Sequence, residues 1–340
     1  MTDNRRIVVT GVQTMQLRLE DLAPPRPGEV TVRTRYAGVC GSDTHAFAGR
    51  HPHIPIPYLP GHEAVGVVED LGPGVDTLAA GDRVTVEPTL PCWDCKQCRS
   101  GNENLCERLE FFGCGYPMGG MADRFTVRAD RLHRIPDALD DRAAALIEPL
   151  ATPVHAGRLC GPLADKAVVI IGAGTIGLLQ LAVARYAGAA RVVVTDPLPA
   201  KRRAAGLAGA DAVVDAGAED AGAQVRAALG ESADVVFDCV AAAATTALAV
   251  DLARKGGVVA IVGVPSKDYP MPMRVIQDEQ IRIQGCATYV PADYAAAIEM
   301  LAAGAVNPAG LITATFPLEQ AHEAFAASAS GEHIKVLIEP

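Results

Sequence analysis

The chain has 340 residues, 49% of them apolar and 21% charged, with a net charge of −10. That length predicts two domains, and that balance fits an ordinary soluble enzyme. The acidic surplus, with no block of lysines or arginines, argues against nucleic acid as a partner. The opening MTDNRRIVVTG has no apolar run long enough for a signal peptide. The uncharged stretch 167–184, AVVIIGAGTIGLLQLAVA, is interrupted by three glycines, Thr175 and Gln180. It reads as a buried strand turning into a buried helix rather than a membrane span. A cytoplasmic protein with no membrane partner is expected.

In chain order, residues 1–151 read as β-rich. Alternating runs such as EVTVRTRYAGV and AVGVVEDLG are punctuated by proline and glycine. Prolines at 52, 55, 57 and 60 bar helix from HPHIPIPYLPGHE, which reads as an extended lead-in to Gly61, His62 and Glu63. Over 152–286 apolar strands (KAVVIIGAG, RVVVTD, DAVVD, DVVFDCV, GGVVAIVGV) alternate with Ala-rich helices. That alternation predicts a doubly wound parallel sheet, so the fold class is α/β. The stretch AGAEDAGAQVRAALG keeps helical spacing and reads as a surface helix. Residues 287–340 turn mixed again, with a helix at DYAAAIEMLAAG and a last strand at HIKVLIEP.

Four of the nine cysteines, Cys92, Cys95, Cys98 and Cys106, fall within the lobe 91–107. Disulfides do not suit a reducing compartment, and a redox pair needs two thiols rather than four. Two-residue spacings let thiolates converge on a tetrahedral zinc. Four thiolates leave no open coordination position, so this zinc is expected to be structural. The polar tip RSGNEN cannot bury a core, and the metal would substitute for one.

The firmest cofactor signal is GAGTIG, Gly172 to Gly177, after the strand VVII and opening a helix. Gly172 allows the tight turn. Gly174 lets a pyrophosphate approach the backbone, and Gly177 lets the helix pack close to the strand. Thr175 and Ile176 complete the turn, and the helix N-terminus offers free N–H groups to phosphate. Asp196 ends the next strand nineteen residues after Gly177. Its carboxylate can accept from a ribose 2′-hydroxyl and would repel a 2′-phosphate, which favours NAD over NADP. Lys201, Arg202 and Arg203 follow closely enough to soften that exclusion.

A second candidate metal set is mixed: Cys40 in CGSDTH, His62 and Glu63 in GHE, and Glu148 in IEPLATPVHA. Three protein ligands would leave a fourth zinc position for water or substrate, as a catalytic site requires.

With CGSD and His45, PGHEAVGVV, GDRV at 81–84, the four-cysteine lobe, EPLA, and GAGTIG with Asp196, the chain resembles the zinc-dependent medium-chain alcohol dehydrogenases over essentially its whole length. The resemblance is closest to the polyol branch of sorbitol, butanediol and threonine dehydrogenases. It implies a GroES-like catalytic domain (1–151), an NAD-binding Rossmann domain (152–286) and a return to the catalytic domain (287–340). It also implies two zincs per chain. Cys40, His62 and Glu63 would ligate the catalytic one, with Glu148 beside it. Ser42 and His45 fall at the family's proton relay, and Asp43 at the residue that orients the ligating histidine. Thr152 falls at a nicotinamide contact, with Lys201 and Gly263 as further cofactor contacts. The implied reaction passes hydride between a polyol, vicinal diol or other secondary alcohol and NAD, giving a ketone, in a homodimer or homotetramer. Amino-alcohol oxidation of the threonine type and a catalytically silent NAD-binding protein are the alternatives. One departure bears on substrate: where sorbitol enzymes carry Phe-Arg-Tyr, this chain has Ala287, Thr288 and Tyr289.

Overall fold

The computed structural model describes residues 3–340. By its internal contacts the chain forms two units. The first takes in the chain up to Glu148 together with Val290–Ala302 and Ile312–Pro340; the second is Pro149–Tyr289 with Ala303–Leu311. The sequence reading assigns all of 287–340 to the first unit. Residues 287–289 and Ala303–Leu311 instead group with the second, with Tyr289, Val306 and Leu311 as buried side chains.

The second unit is built on six parallel strands in the order Ala212–Asp215, Arg191–Asp196, Ala167–Ile171, Ala233–Asp238, Ala253–Ile261, Arg282–Gly285. Every residue of Ala167–Ile171 is buried, as a strand covered on both faces must be. Strand order reverses beside this strand, so the turn after it lies where open α/β sheets bind ligands. The uncharged stretch 167–184 divides into that strand and the helix Thr175–Tyr186. Among the described residues no helix is long and apolar enough to cross a membrane. The Ala/Gly-rich stretch is helical over Ala221–Leu229.

The first unit carries a seven-stranded sheet. Its ordered path is Ile312–Pro317, Lys335–Glu339, Glu29–Val39, Glu63–Leu71, Arg83–Val86 and Leu132–Arg134, with Arg124–Arg128 pairing with Glu29–Val39 off that path. One face buries Val30, Val32, Val68, Val84, Phe112 and Phe125. The last strand packs Val336 and Ile338 with Val39, Ile7 and Phe325. The C-terminal strand is therefore an inner strand of the unit that holds Glu63, not an appendage.

The cysteine lobe hangs from a two-stranded ribbon, Thr89–Leu90 with Glu110–Phe111. Its sulfurs stand 3.9 Å (Cys92–Cys98), 3.5 Å (Cys95–Cys98) and 3.9 Å (Cys95–Cys106) apart, and all four lie within 4.8 Å of one another. Four thiolates at 2.3 Å from one tetrahedral zinc would be about 3.8 Å apart, so the spacing fits. All nine cysteines of the chain are unpaired as disulfides. Backbone N–H groups of Cys95 and Arg108 donate to Cys92 Sγ and Cys106 Sγ. N–H groups aimed at its sulfur pull the Cys95 thiol down, while burial among its neighbours pushes Cys98 up. Four anionic sulfurs resist one another, and a dication relieves that repulsion. The lobe is tied to the sheet by Arg131. Its guanidinium lies 5.1 Å from the Trp93 ring centroid and 3.2 Å from the fully buried Glu87. Replacing Cys95 by serine is expected to remove about one zinc per chain and lower Tm by roughly 5 °C or more. Metal analysis with a thermal melt checks this. Unchanged metal content would refute it.

Candidate metal centre and dinucleotide loop

Three adjacent strands bring the first set of side chains together. Glu29–Val39 runs antiparallel to both Glu63–Leu71 and Lys335–Glu339. The end of the first and the starts of the other two therefore meet at one edge of the sheet. Cys40 follows the first strand directly, His62 and Glu63 open the second, and Lys335 opens the third. Donor atoms of Cys40, His62 and Glu63 lie within 4.8 Å of one another. A thiolate, an imidazole and a carboxylate at that separation match zinc's ligand preferences with a position left open.

Glu63 is 1% exposed, and its burial demands a counter-charge. Lys335, 2% exposed, supplies it: Nζ donates to both carboxylate oxygens at 2.6 Å and to Val39 O at 3.2 Å. Burial alone would lower the Lys335 pKa, but Glu63 and Cys40 outweigh it and hold the ammonium above its ordinary value. The two side chains meet over Gly38, which pairs with Glu63 across the sheet. A Cβ at position 38 would lie 1.8 Å from Glu63 Oε2, so only glycine leaves the carboxylate its place.

His62 is buried and edged by the Phe111 ring, 5.8 Å between centroids. Its Nδ1 is 3.4 Å from Cys114 Sγ and 3.7 Å from Asp43 Oδ1. With Nδ1 so faced, Nε2 is the nitrogen available to a metal. Asp43 is fully buried, and its Oδ2 accepts from the Cys40 N–H at 3.0 Å. Burial pushes its pKa up to about 6, against the pull of His62. Glu148 is buried near Lys335 and Tyr294, whose pKa values it raises, but it stands outside the compact three-residue set. Ser42 and His45 lie three residues apart on the helix Gly41–Phe47, hence on one face. His45 is exposed, and partial desolvation, helped by Arg50, lowers its pKa.

In the second unit, Gly172 follows its strand at φ 96°, and its N–H donates to Thr195 O at 2.8 Å. A Cβ on Gly177 would sit 1.8 Å from Gly172 O, so this glycine is what lets the helix approach. A Cβ on Gly174 would meet nothing within 4 Å, leaving the helix N-terminus open to a phosphate. These features fit a dinucleotide. The Asp196 carboxylate accepts from Ala173 N at 2.9 Å and Leu198 N at 2.8 Å, which fixes it against the loop. Arg202 is committed elsewhere, to Asp215 at 3.0 Å and to the Asp196 and Pro197 carbonyls at 2.8 Å. Lys201 is buried, and burial lowers its pKa. Gly263 is packed against Val240, and its N–H donates to Asp238 O at 3.0 Å. Thr152 is half-buried in the helix Ile147–Cys160. Tyr289 is buried, and Thr288 takes φ 50°.

Sequence reasoning missed Lys335, Gly38, Cys114 and Asp238. A lysine inside the apolar run IKVLI was a usable signal for the first. Asp238 is fully buried and accepts from Ala241 N, Thr245 and Thr246, bracing the strand end beside the glycine loop.

Known proteins resemble the chain over nearly its whole length. Residues 26–137 match the alcohol dehydrogenase GroES-like domain, and residues 175–303 match the zinc-binding dehydrogenase family. The chain is 34% identical to a sorbitol dehydrogenase of Macaca fascicularis, covering 98% of this chain and 95% of that one. It is 32% identical to a sorbitol dehydrogenase of Bacillus subtilis, covering 96% and 95%. An NADP-bound structure from Sinorhizobium meliloti 1021 superimposes with a TM-score of 0.93 at 31% identity over the full length of both chains. The chain belongs to the zinc-dependent medium-chain alcohol dehydrogenases, in their polyol dehydrogenase branch.

Proposed function

We propose that the chain oxidises a small polar polyol or vicinal diol at a secondary carbon, with NAD as acceptor. The observation that carries this reading is the pair of buried carboxylates, Glu63 and Glu148, in the unit that holds Cys40 and His62. The sorbitol dehydrogenases similar to this chain support it.

In this reading Cys40, His62 and Glu63 hold one zinc, and the four lobe cysteines hold the other. The zinc would supply Lewis-acid polarisation of a substrate hydroxyl, and the bound nicotinamide would supply the hydride acceptor. Glu148 accepts a hydrogen bond from the neighbouring hydroxyl of a diol. A mono-alcohol makes one charge-assisted hydrogen bond fewer, a difference of about 1.5–3 kcal/mol. Ser42 hands the released proton on, and His45 receives it. The lowered pKa of His45 keeps it neutral, and so able to accept, at pH 7 and somewhat below. Gly172 to Gly177 cradle the pyrophosphate, Thr152 and Gly263 line the cofactor, and Asp196 favours a free ribose hydroxyl. The related Sinorhizobium meliloti structure holds NADP, so the preference here rests on Asp196 and on Arg202 being tied to Asp215. A homodimer or homotetramer in the cytoplasm completes the reading, where nine free cysteines stay reduced.

A panel of diols, matching mono-alcohols and amino alcohols, scored by NADH absorbance with NAD and with NADP, tests the substrate and the cofactor together. The expected result is at least about tenfold higher kcat/KM for a diol than for its mono-alcohol, one lost pairing's worth, with NAD preferred. Equal turnover of long apolar alcohols would refute the diol reading, and a best rate on an amino alcohol would replace it.

The relay has its own signature in pH. Since the His45 pKa lies below the usual 6.5, its neutral form persists at pH values under 6.5. Oxidation by the wild type should hold its rate down to that region. His45→Gln should lose most near neutral pH and recover as rising pH lets solvent base take the proton. Coincident wild-type and mutant profiles would exclude His45.

A further inference from the structure

The second neighbour of His62 has no role in the scheme above. Cys114 lies in the turn after the strand Glu110–Phe111, between Gly113 at φ 76° and Gly115 at φ 103°. That turn is pressed against the histidine itself: a Cβ on Gly113 would be 2.6 Å from His62 N and 2.7 Å from Gly61 C. The Cys114 N–H donates to Phe111 O at 3.0 Å, and the residue packs against Val9, Ala46, Ile54 and Tyr58. Backbone and packing thus hold the thiol at 3.4 Å from His62 Nδ1.

Asp43 stands on the same nitrogen but farther out, at 3.7 Å. Its Oδ1 is buried and has no hydrogen-bond partner. A hydrogen bond of 3.7 Å between nitrogen and oxygen is not made, whereas 3.4 Å to sulfur is. If Nε2 takes the metal, Nδ1 must carry the proton, and it donates. We propose that Cys114 is a positioning residue for His62: its sulfur accepts the Nδ1–H hydrogen bond and fixes the ring's tautomer and orientation toward the metal. The Asp43 carboxylate, 3.7 Å from the same nitrogen, adds its charge from behind without making that bond. This inference rests on the reading of His62 as a zinc ligand.

Zinc itself is the probe. Affinity at the three-residue site is measured by chelator competition on intact Cys114→Val, Cys114→Ser and wild-type protein, with the four-cysteine zinc as internal reference. Valine fills the volume without an acceptor; serine restores one. Valine should weaken zinc binding about tenfold and shift the visible bands of the cobalt-substituted protein, with serine returning both most of the way. Valine binding zinc as tightly as wild type, or serine failing to recover, would show that Cys114 only packs. A wild type holding just the lobe zinc would instead overturn the metal centre, and this inference with it.

Discussion

The buried ion pair between Glu63 and Lys335 is the interaction on which the centre depends. A carboxylate removed from water must be paired or protonated, and a protonated one is a poor metal donor. Lys335 supplies the pairing charge by donating to both oxygens of Glu63. Removing one partner of such a pair leaves an uncompensated buried charge, which destabilises by about 3–5 kcal/mol. The pair also joins distant parts of the chain. The last strand returns to the first unit, where its core side chains pack and its opening lysine meets a carboxylate 272 residues earlier. Gly38 completes the device by leaving empty the volume over which the two side chains meet.

Charge is arranged differently in the two metal candidates. In the lobe, four sulfurs stand together with backbone N–H groups as their main protein partners. Such a setting suits a metal that serves as a core. At the other centre each donor has a partner behind it. Lys335 backs Glu63, Cys114 and Asp43 back His62, and Asp43 also accepts from the Cys40 backbone. That supporting layer sets ligand orientation and basicity, which a centre that performs chemistry must control. In the other unit, backbone geometry does the equivalent work: a strand end, a glycine turn and a helix start, braced by Asp196 and Asp238.

What could be read from the sequence was what is local in it. The spacing of Cys92, Cys95, Cys98 and Cys106, and the strand–GAGTIG–helix unit, each lie within a few turns of chain, so pattern alone gives their chemistry. The alternation of apolar strands with Ala-rich helices likewise gave the parallel sheet, because strands buried on both faces are apolar throughout. Cys40, His62 and Glu63 required the family resemblance, since single residues far apart carry no spacing signal. Lys335, Gly38 and Cys114 escaped even that. Each matters only through a contact across the sheet or between turns, and nothing in a lysine near a C-terminus or a cysteine in a glycine turn names its partner. Glu148 came from motif correspondence as a residue beside the metal, and it is buried near Lys335 outside the three whose donor atoms converge.

Zinc-edge X-ray absorption on the purified chain tests the central claim, that one all-sulfur site and one Cys–His–Glu site coexist. Four lobe sulfurs plus Cys40 make five sulfurs over two metals. The account therefore predicts two zincs per chain and an average shell of about 2.5 sulfurs at about 2.3 Å, with the remainder nitrogen and oxygen near 2.0–2.2 Å. One zinc per chain with a shell of four sulfurs would contradict it, and an average of three would make Cys114 a ligand rather than a support for His62.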